Sequence, residues 1–246
     1  MVQFSSHRDV EAQRTPRVLP NGTHFHYTPF LGYGMAPGGV GPVGYLIEQE
    51  PNSTIRPHFH QANQFQVIVA GGGSLGKQAI QPVTVHFAAA YTPYGPILSE
   101  ADGLFYFTLR DSYDPGARFM PESRADLPRV TRRHVTAAPE TPSAPAALSA
   151  LATAEMRTII EMEEDGLGAW LHRLPPNASW SGPAPASGDG QYHLLLAGGV
   201  AVDGHTLDGY ATIHVGHEDA APAFAATAAG AEVLVLQFPQ RRAAAH

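Results

Sequence analysis

The chain has 246 residues and a formal net charge of -7, with 15 Lys and Arg against 22 Asp and Glu and no cysteine. No basic cluster exceeds an arginine pair, which argues against nucleic acid as a partner, and the lack of cysteine excludes disulfides, thiolate ligands and thiol nucleophiles. The 25 Gly and 22 Pro fit many short strands joined by tight turns, so an all-β fold is predicted.

In chain order, the polar and charged segment Met1 to Arg17 lacks the apolar core of a secretory leader. No later stretch approaches the ~18 uninterrupted apolar residues of a membrane span, so the expectation is a cytoplasmic protein whose partners are small molecules. Residues 1–22 are expected to hang as an N-terminal arm that can cross to a partner subunit. A predicted strand follows at residues 23–27, on which alternation places His24 and His26 on one face. They form either an ordinary outer-strand pair or, through His26, an additional group at the site described next.

The segment from Arg56 to Gly72 is the most informative. On a strand, His58 and His60 point to one side and Phe59 to the other, so two imidazoles converge. Gln64 opens an alternating stretch that runs to Val69 and stops at Gly71 and Gly72, residues able to take turn dihedrals. Converging imidazoles are either satisfied side chains on a barrel wall or ligands of one divalent first-row transition ion, with Fe2+ favoured and Mn2+, Ni2+, Zn2+ or Cu2+ also compatible with the ligand type. Gln64 either completes the site as a third ligand or only bonds across the sheet.

This pattern resembles the first motif of the cupin superfamily, in which His-x-His is followed by a carboxylate and then a glycine. Gln64 stands where the family has its carboxylate. The family's second motif, a Pro-x-Gly turn followed by His, is matched by Pro93-Tyr94-Gly95, with Leu98 at the His position. The resemblance therefore implies jelly-roll barrels that pair as homodimers, and a metal site lacking its fourth usual ligand. Beside it, Tyr94 is a candidate proton donor or substrate contact, and Tyr91, Phe105 and Phe107 are either an aromatic pocket lining or ordinary core. Arg56 and Arg110 are either carboxylate anchors or plain surface charges.

The second half repeats the first. Gln64 to Gly72 can be laid over Gln191 to Gly199, each a Gln, six residues and Gly-Gly. On the same alignment, Val83–Phe87 falls on Ala211–Val215, which equates His86 with His214, and Leu104–Leu109 falls on Val233–Phe238. Two tandem cupin-type barrels follow, spanning 23–136 and 153–246 and joined by a Pro/Ala-rich linker at 137–152; one larger β-sandwich is the competing architecture. Gly182-Pro183-Ala184-Pro185 replaces the His-x-His segment, so the second barrel is expected to be degenerate. His86 and His214, read as equivalents, are then structural imidazoles.

Two or three protein ligands leave coordination positions open, as a catalytic site requires. The functional expectation is a metal-dependent enzyme acting on a small oxygenated organic substrate, foremost a dioxygenase-type oxidoreductase. The competing expectations are a metal-dependent isomerase, lyase or cyclase, and a non-catalytic ligand-binding or storage-like bicupin.

Overall fold

The computed structural model describes residues 2–130 and 132–241. The chain divides into two compact units, Val10–Thr141 and Met1–Asp9 with Pro142–His246. Residues 242–246, the end of the predicted second barrel, lie outside the described residues.

Strand β1 (Gln3–Ser6) comes first, followed by a single helical turn at His7–Val10. The first barrel then contains β2 (Thr15–Val18), β3 (His24–Leu31), β4 (Val40–Gln49), β5 (Thr54–Ile55), β6 (His58–Phe59), β7 (Gln64–Leu75), β8 (Gln78–Ile80), β9 (Val85–Ala88), β10 (Ile97–Ser112), β11 (Arg118–Phe119) and β12 (His134–Thr136). Its main sheet has the order β12-β9-β7-β10-β4-β3-β2, with β5 on β10, β8 on β7, and a separate β6–β11 pair. Both faces of β7 are buried, so its polar residues must find partners inside. Its even positions, Gln66 and Ile68, face the barrel interior, where Ile47, Ile55, Ile80, Ile97 and Tyr106 pack around Ile68. Each fully buried aliphatic side chain there contributes roughly 1.5 to 3 kcal/mol.

The second barrel contains β13 (Glu155–Ile160), β14 (Gly168–Leu174), β15 (Ser179–Ser181), β16 (Gln191–Val202), β17 (His205–Asp208), β18 (Ala211–Val215) and β19 (Ala223–Gln237). Its sheet order is β1-β18-β16-β19-β14-β13. The repeat is exact in its glycines. Gly71 (φ +72°) and Gly103 (φ +75°) bring β7 and β10 so close that a Cβ on Gly71 would lie 2.1 Å from the Gly103 carbonyl oxygen. Gly198 (φ +74°) and Gly230 (φ +72°) make the same approach between β16 and β19, again at 2.1 Å.

Several expectations are corrected. The first twenty-two residues do not hang free: β1 pairs with β18, and β2 pairs with β3. Part of the linker is helical, with Pro145–Ser149 burying Leu148. Leu104 pairs with Gly71 and Ala231 with Gly198, so Leu104 corresponds to Ala231 and not to Val233. Likewise His86 pairs with Gln66, whereas His193, the counterpart of Gln66, pairs with Ile213. His86 therefore corresponds to Ile213. His214 sits one position on, pairs with Tyr192 and faces the other way, because a one-residue slip on a strand reverses the face.

Candidate metal centre

His58 and His60 are carried by β6 and the residues after it. Two backbone hydrogen bonds, from His58 N–H to the Tyr94 carbonyl at 3.1 Å and from Tyr94 N–H to the His58 carbonyl at 3.0 Å, lock this segment to the turn before β10. Tyr91 shapes that turn from a left-handed conformation (φ +59°) and donates its N–H to the His60 carbonyl at 2.7 Å. The alternation holds. Both imidazoles face a cavity of about 380 Å³ while Phe59, on the other side, is fully buried.

Each imidazole is oriented from behind. His58 Nδ1 lies 2.7 Å from the Arg56 carbonyl oxygen, an acceptor only, so Nδ1 carries the proton and Nε2 the lone pair. His60 Nδ1 lies 2.7 Å from the Asp114 carboxylate and also 3.0 Å from Arg110 Nη2. One nitrogen cannot donate to the first and accept from the second. The charge-assisted bond to the carboxylate decides, leaving Nε2 of His60 unprotonated as well. Burial pushes His58 down to about 3, with His60 as the next cause, and burial with the Arg110 charge brings His60 to about 4, so both rings are neutral at pH 7. Their centroids are 5.1 Å apart with planes at 89°.

Behind His60 lies a buried network. Asp114 receives hydrogen bonds from His60 Nδ1, from Gln61 N–H at 2.7 Å and from Gly116 N–H at 2.9 Å, and pairs with Arg110 Nη1 at 3.1 Å. Burial alone would raise its pKa; the bond from His60 and the Arg110 charge overcome this and hold the carboxyl at about 2. Arg110 Nε donates to Gln64 Oε1 at 3.1 Å, and Gln64 Nε2 in turn donates to the Tyr94 hydroxyl oxygen. The Tyr94 ring lies 4.6 Å from His58 and 6.4 Å from His60. Burial raises the Tyr94 pKa well above the ordinary phenol range.

The remaining predicted positions fall elsewhere. Phe25 and Tyr27 line the cavity, so His24 and His26, of opposite parity on β3, lie on the other face. Tyr106, Thr108 and Arg110 line it from β10, which turns Phe105 and Phe107 away; Phe107 meets Phe30 edge-on at 5.0 Å. Tyr91 packs near Phe59 at 6.2 Å, outside the lining. Leu98 is 37% exposed, so the Pro-x-Gly register inferred from sequence does not bring that position to the site. Arg56 binds Glu122 at the rim at 2.7 Å, and Arg110, read as an anchor or a surface charge, is a buried part of the network. Sequence reasoning missed Asp114, Tyr45 and Tyr106; the parity of Arg110 and Thr108 on β10 is the signal that would have found Tyr106.

The donor set fits a divalent ion in part. Among the described residues no group of three His, Cys, Asp or Glu side chains converges as a ligand set. Two imidazoles do present free Nε2 lone pairs, each with its Nδ1–H held by a carbonyl or a carboxylate, the usual orientation for metal-binding histidine. Imidazoles sharing an ion through Nε2 at about 2.1 Å place their centroids roughly 4.5 to 5.2 Å apart, which brackets the spacing of His58 and His60. Gln64 does not line the cavity, and its Oε1 accepts from the Arg110 guanidinium at 3.1 Å, a cation that would repel an ion at the same oxygen.

The second barrel differs at the matching positions. Gln237 stands where the first barrel has Arg110, and Gln191 donates to it at 2.7 Å.

No family model matches this chain, and no curated protein matches it. Solved structures do. A putative dioxygenase from Nostoc punctiforme is similar with a TM-score of 0.64 at 11% identity, over 99% of this chain and 85% of that one. A bacterial pirin from Escherichia coli in complex with nickel(II) gives 0.56 at 12% identity, over 98% and 100%. Oxalate decarboxylase from Bacillus subtilis gives 0.60 at 10% identity, over 98% and 77%. Both units are jelly-roll barrels of the cupin type, arranged in tandem in one chain. Among the described residues no helix is long and apolar enough to cross a membrane.

Proposed function

We propose that the first barrel is a metal-dependent enzyme of the dioxygenase type, acting on a small oxygenated organic substrate, and that the second barrel is degenerate and holds no ion. The observation that carries this reading is the pair of buried, neutral imidazoles whose Nε2 lone pairs face one cavity. A divalent ion bound there supplies Lewis acidity and a template for substrate and dioxygen. The putative dioxygenase of similar fold, and the pirin structure with nickel(II), support the choice of chemistry and of a divalent ion.

The chain's own residues prepare the site. Asp114 and the Arg56 carbonyl fix the tautomers of His60 and His58, so that neither must shed a ring proton to bind a cation. Tyr27, Tyr45 and Tyr106 wall the cavity and suit a flat or aromatic ligand while limiting the entry of water. The ion pair of Arg110 with Asp114 keeps the wall beside His60 near electrical neutrality.

Metal analysis of the purified protein, followed by an oxygen-uptake screen with small carboxylates and diketones, tests the proposal. The expected result is about one ion per chain and dioxygen consumption, both abolished in the His58→Ala, His60→Ala double variant. Turnover that persists under anaerobic conditions would place the reaction among isomerases and lyases. Ligand binding without turnover, indifferent to loss of both histidines, would reject an enzyme.

A further inference from the structure

We infer that the Tyr94 oxygen is the third protein ligand of the ion, and that Gln64 is a positioning residue for it and not a ligand; this rests on the reading that His58 and His60 hold a cation. Gln64 occupies the place where the resemblance expects a coordinating carboxylate. The hydrogen bonds explain why an amide stands there. A guanidinium only donates, so Arg110 Nε, at 3.1 Å, must face the amide oxygen of Gln64. The amide nitrogen must then face Tyr94, and its N–H points at the phenolic oxygen. Both hydrogen bonds therefore run in one direction, from Arg110 through Gln64 to Tyr94, and end on the phenolic oxygen, where a donated N–H stabilises the anionic, phenolate form. A glutamate at position 64 would accept from Arg110 and from the Tyr94 hydroxyl, reversing the second bond.

Charge leads to the same atom. His58 and His60 each turn an unprotonated Nε2 to the cavity, and Arg110 and Asp114 pair at 3.1 Å and cancel each other. The carboxylate that lines the cavity with the two imidazoles, Asp114, is held by His60, Arg110 and the Gln61 and Gly116 N–H groups, so the ion would need its anionic ligand from another side chain. Tyr94 supplies one. Its backbone is bonded to His58 in both directions, and its ring is 4.6 Å from the His58 ring. Of the other tyrosines that line the cavity, Tyr45 lies under the Arg110 guanidinium at 5.4 Å, which engages its face, and Tyr27 packs on Tyr45 at 4.8 Å; none of them has the backbone bonds that tie Tyr94 to His58. On binding, the phenolic O–H bond is exchanged for an oxygen–ion bond and the proton leaves to solvent.

Iron(III) is the probe, because a phenolate ligand gives it a visible charge-transfer band that imidazole does not. The full chain loaded with iron(III) is expected to bind one ion and to show the band. Tyr94→Phe should retain the ion at reduced affinity and lose the band, with its melting temperature checked to confirm folding. Gln64→Glu should retain the ion and lose most of the band, since the carboxylate competes for the place of the phenolate. Wild-type protein that binds iron(III) through His58 and His60 without the band overturns the tyrosine ligand alone. A full band in Tyr94→Phe does the same. Wild-type protein that binds no iron, or a His58→Ala, His60→Ala variant that binds it undiminished, overturns the histidine site itself.

Discussion

Replacing Asp114 with Asn keeps the shape of the side chain and removes the charge that organises the network. The carboxylate accepts from Gln61 N–H on one oxygen, and from His60, Arg110 and Gly116 on the other. An amide has only one oxygen, so whichever way it turns, its NH2 group faces a donor. Folding holds the Asp114 carboxyl at about 2 against an ordinary 3.8; at about 1.4 kcal/mol per pH unit, this stabilises the native state by roughly 2 kcal/mol. Because the folded value is depressed, the contribution is complete above pH 3.8 and is lost as the pH falls towards 2. The substitution also leaves the buried Arg110 unpaired, and removing one partner of a buried pair costs about 3 to 5 kcal/mol where no rearrangement relieves it. A destabilisation of about 3 kcal/mol at pH 7 is therefore expected, a fall in melting temperature on the order of 10 °C for a barrel of this size. Where the amide turns its NH2 to His60, the ring must accept at Nδ1 and protonate Nε2, so ion affinity should fall by roughly 10- to 100-fold. Urea denaturation of both proteins at pH 7 and near pH 2 measures the first effect, and ion titration the second. Equal stability at pH 7, or a deficit that does not shrink near pH 2, would refute this account of Asp114.

Other consequences follow from burial and register. His58, His86 and His193 are pushed by burial to about 3, and His60 to about 4, so the unfolded chain takes up protons before the folded one does. The ion-free protein should then lose melting temperature steadily as the pH drops below about 6.5, before any carboxylate titrates; a flat profile between pH 6.5 and 5 would contradict it. Gly71→Ala forces a Cβ to within 2.1 Å of the Gly103 carbonyl oxygen at φ +72°, so a loss of several kcal/mol is expected, visible as a large fall in the denaturant midpoint. Leu98→His should leave ion affinity unchanged, since that position points outward; a gain measured by calorimetry would restore the register read from sequence.

The architecture was readable because its signals are short-range. A Gln, six residues and Gly-Gly occur twice, and in each barrel the first of these glycines lies where two strands approach too closely for a side chain. The His-x-His pair was readable for the same reason, since the period of a strand dictates a shared face. Facing across longer distances was not. The equivalence of His86 with His214 failed by one residue and that of Leu104 with Val233 by two, because runs of similar apolar residues can be matched in more than one register; the register that lays Gln64 on Gln191 carries unchanged through both pairs. The same parity error assigned Phe105 and Phe107 to the pocket in place of Tyr106 and Thr108. Asp114 was invisible because its partners, His60 and Gln61, lie more than fifty positions away and are reached only when β10 folds beside β7. Gln64 read as either a third ligand or a residue bonding across the sheet; in the fold it bonds across the sheet to Arg110 and is the middle of a hydrogen-bonded chain whose ends, Arg110 and Tyr94, sequence alone does not bring together.

Anomalous diffraction at the absorption edge of the metal found in the purified protein, collected on crystals of the full chain, tests the central claim most directly. One peak is expected per chain, inside the first barrel and within bonding distance of Nε2 of both His58 and His60, with none in the second barrel. A fully occupied peak elsewhere, or clear density for both imidazoles with no peak between them, would contradict it.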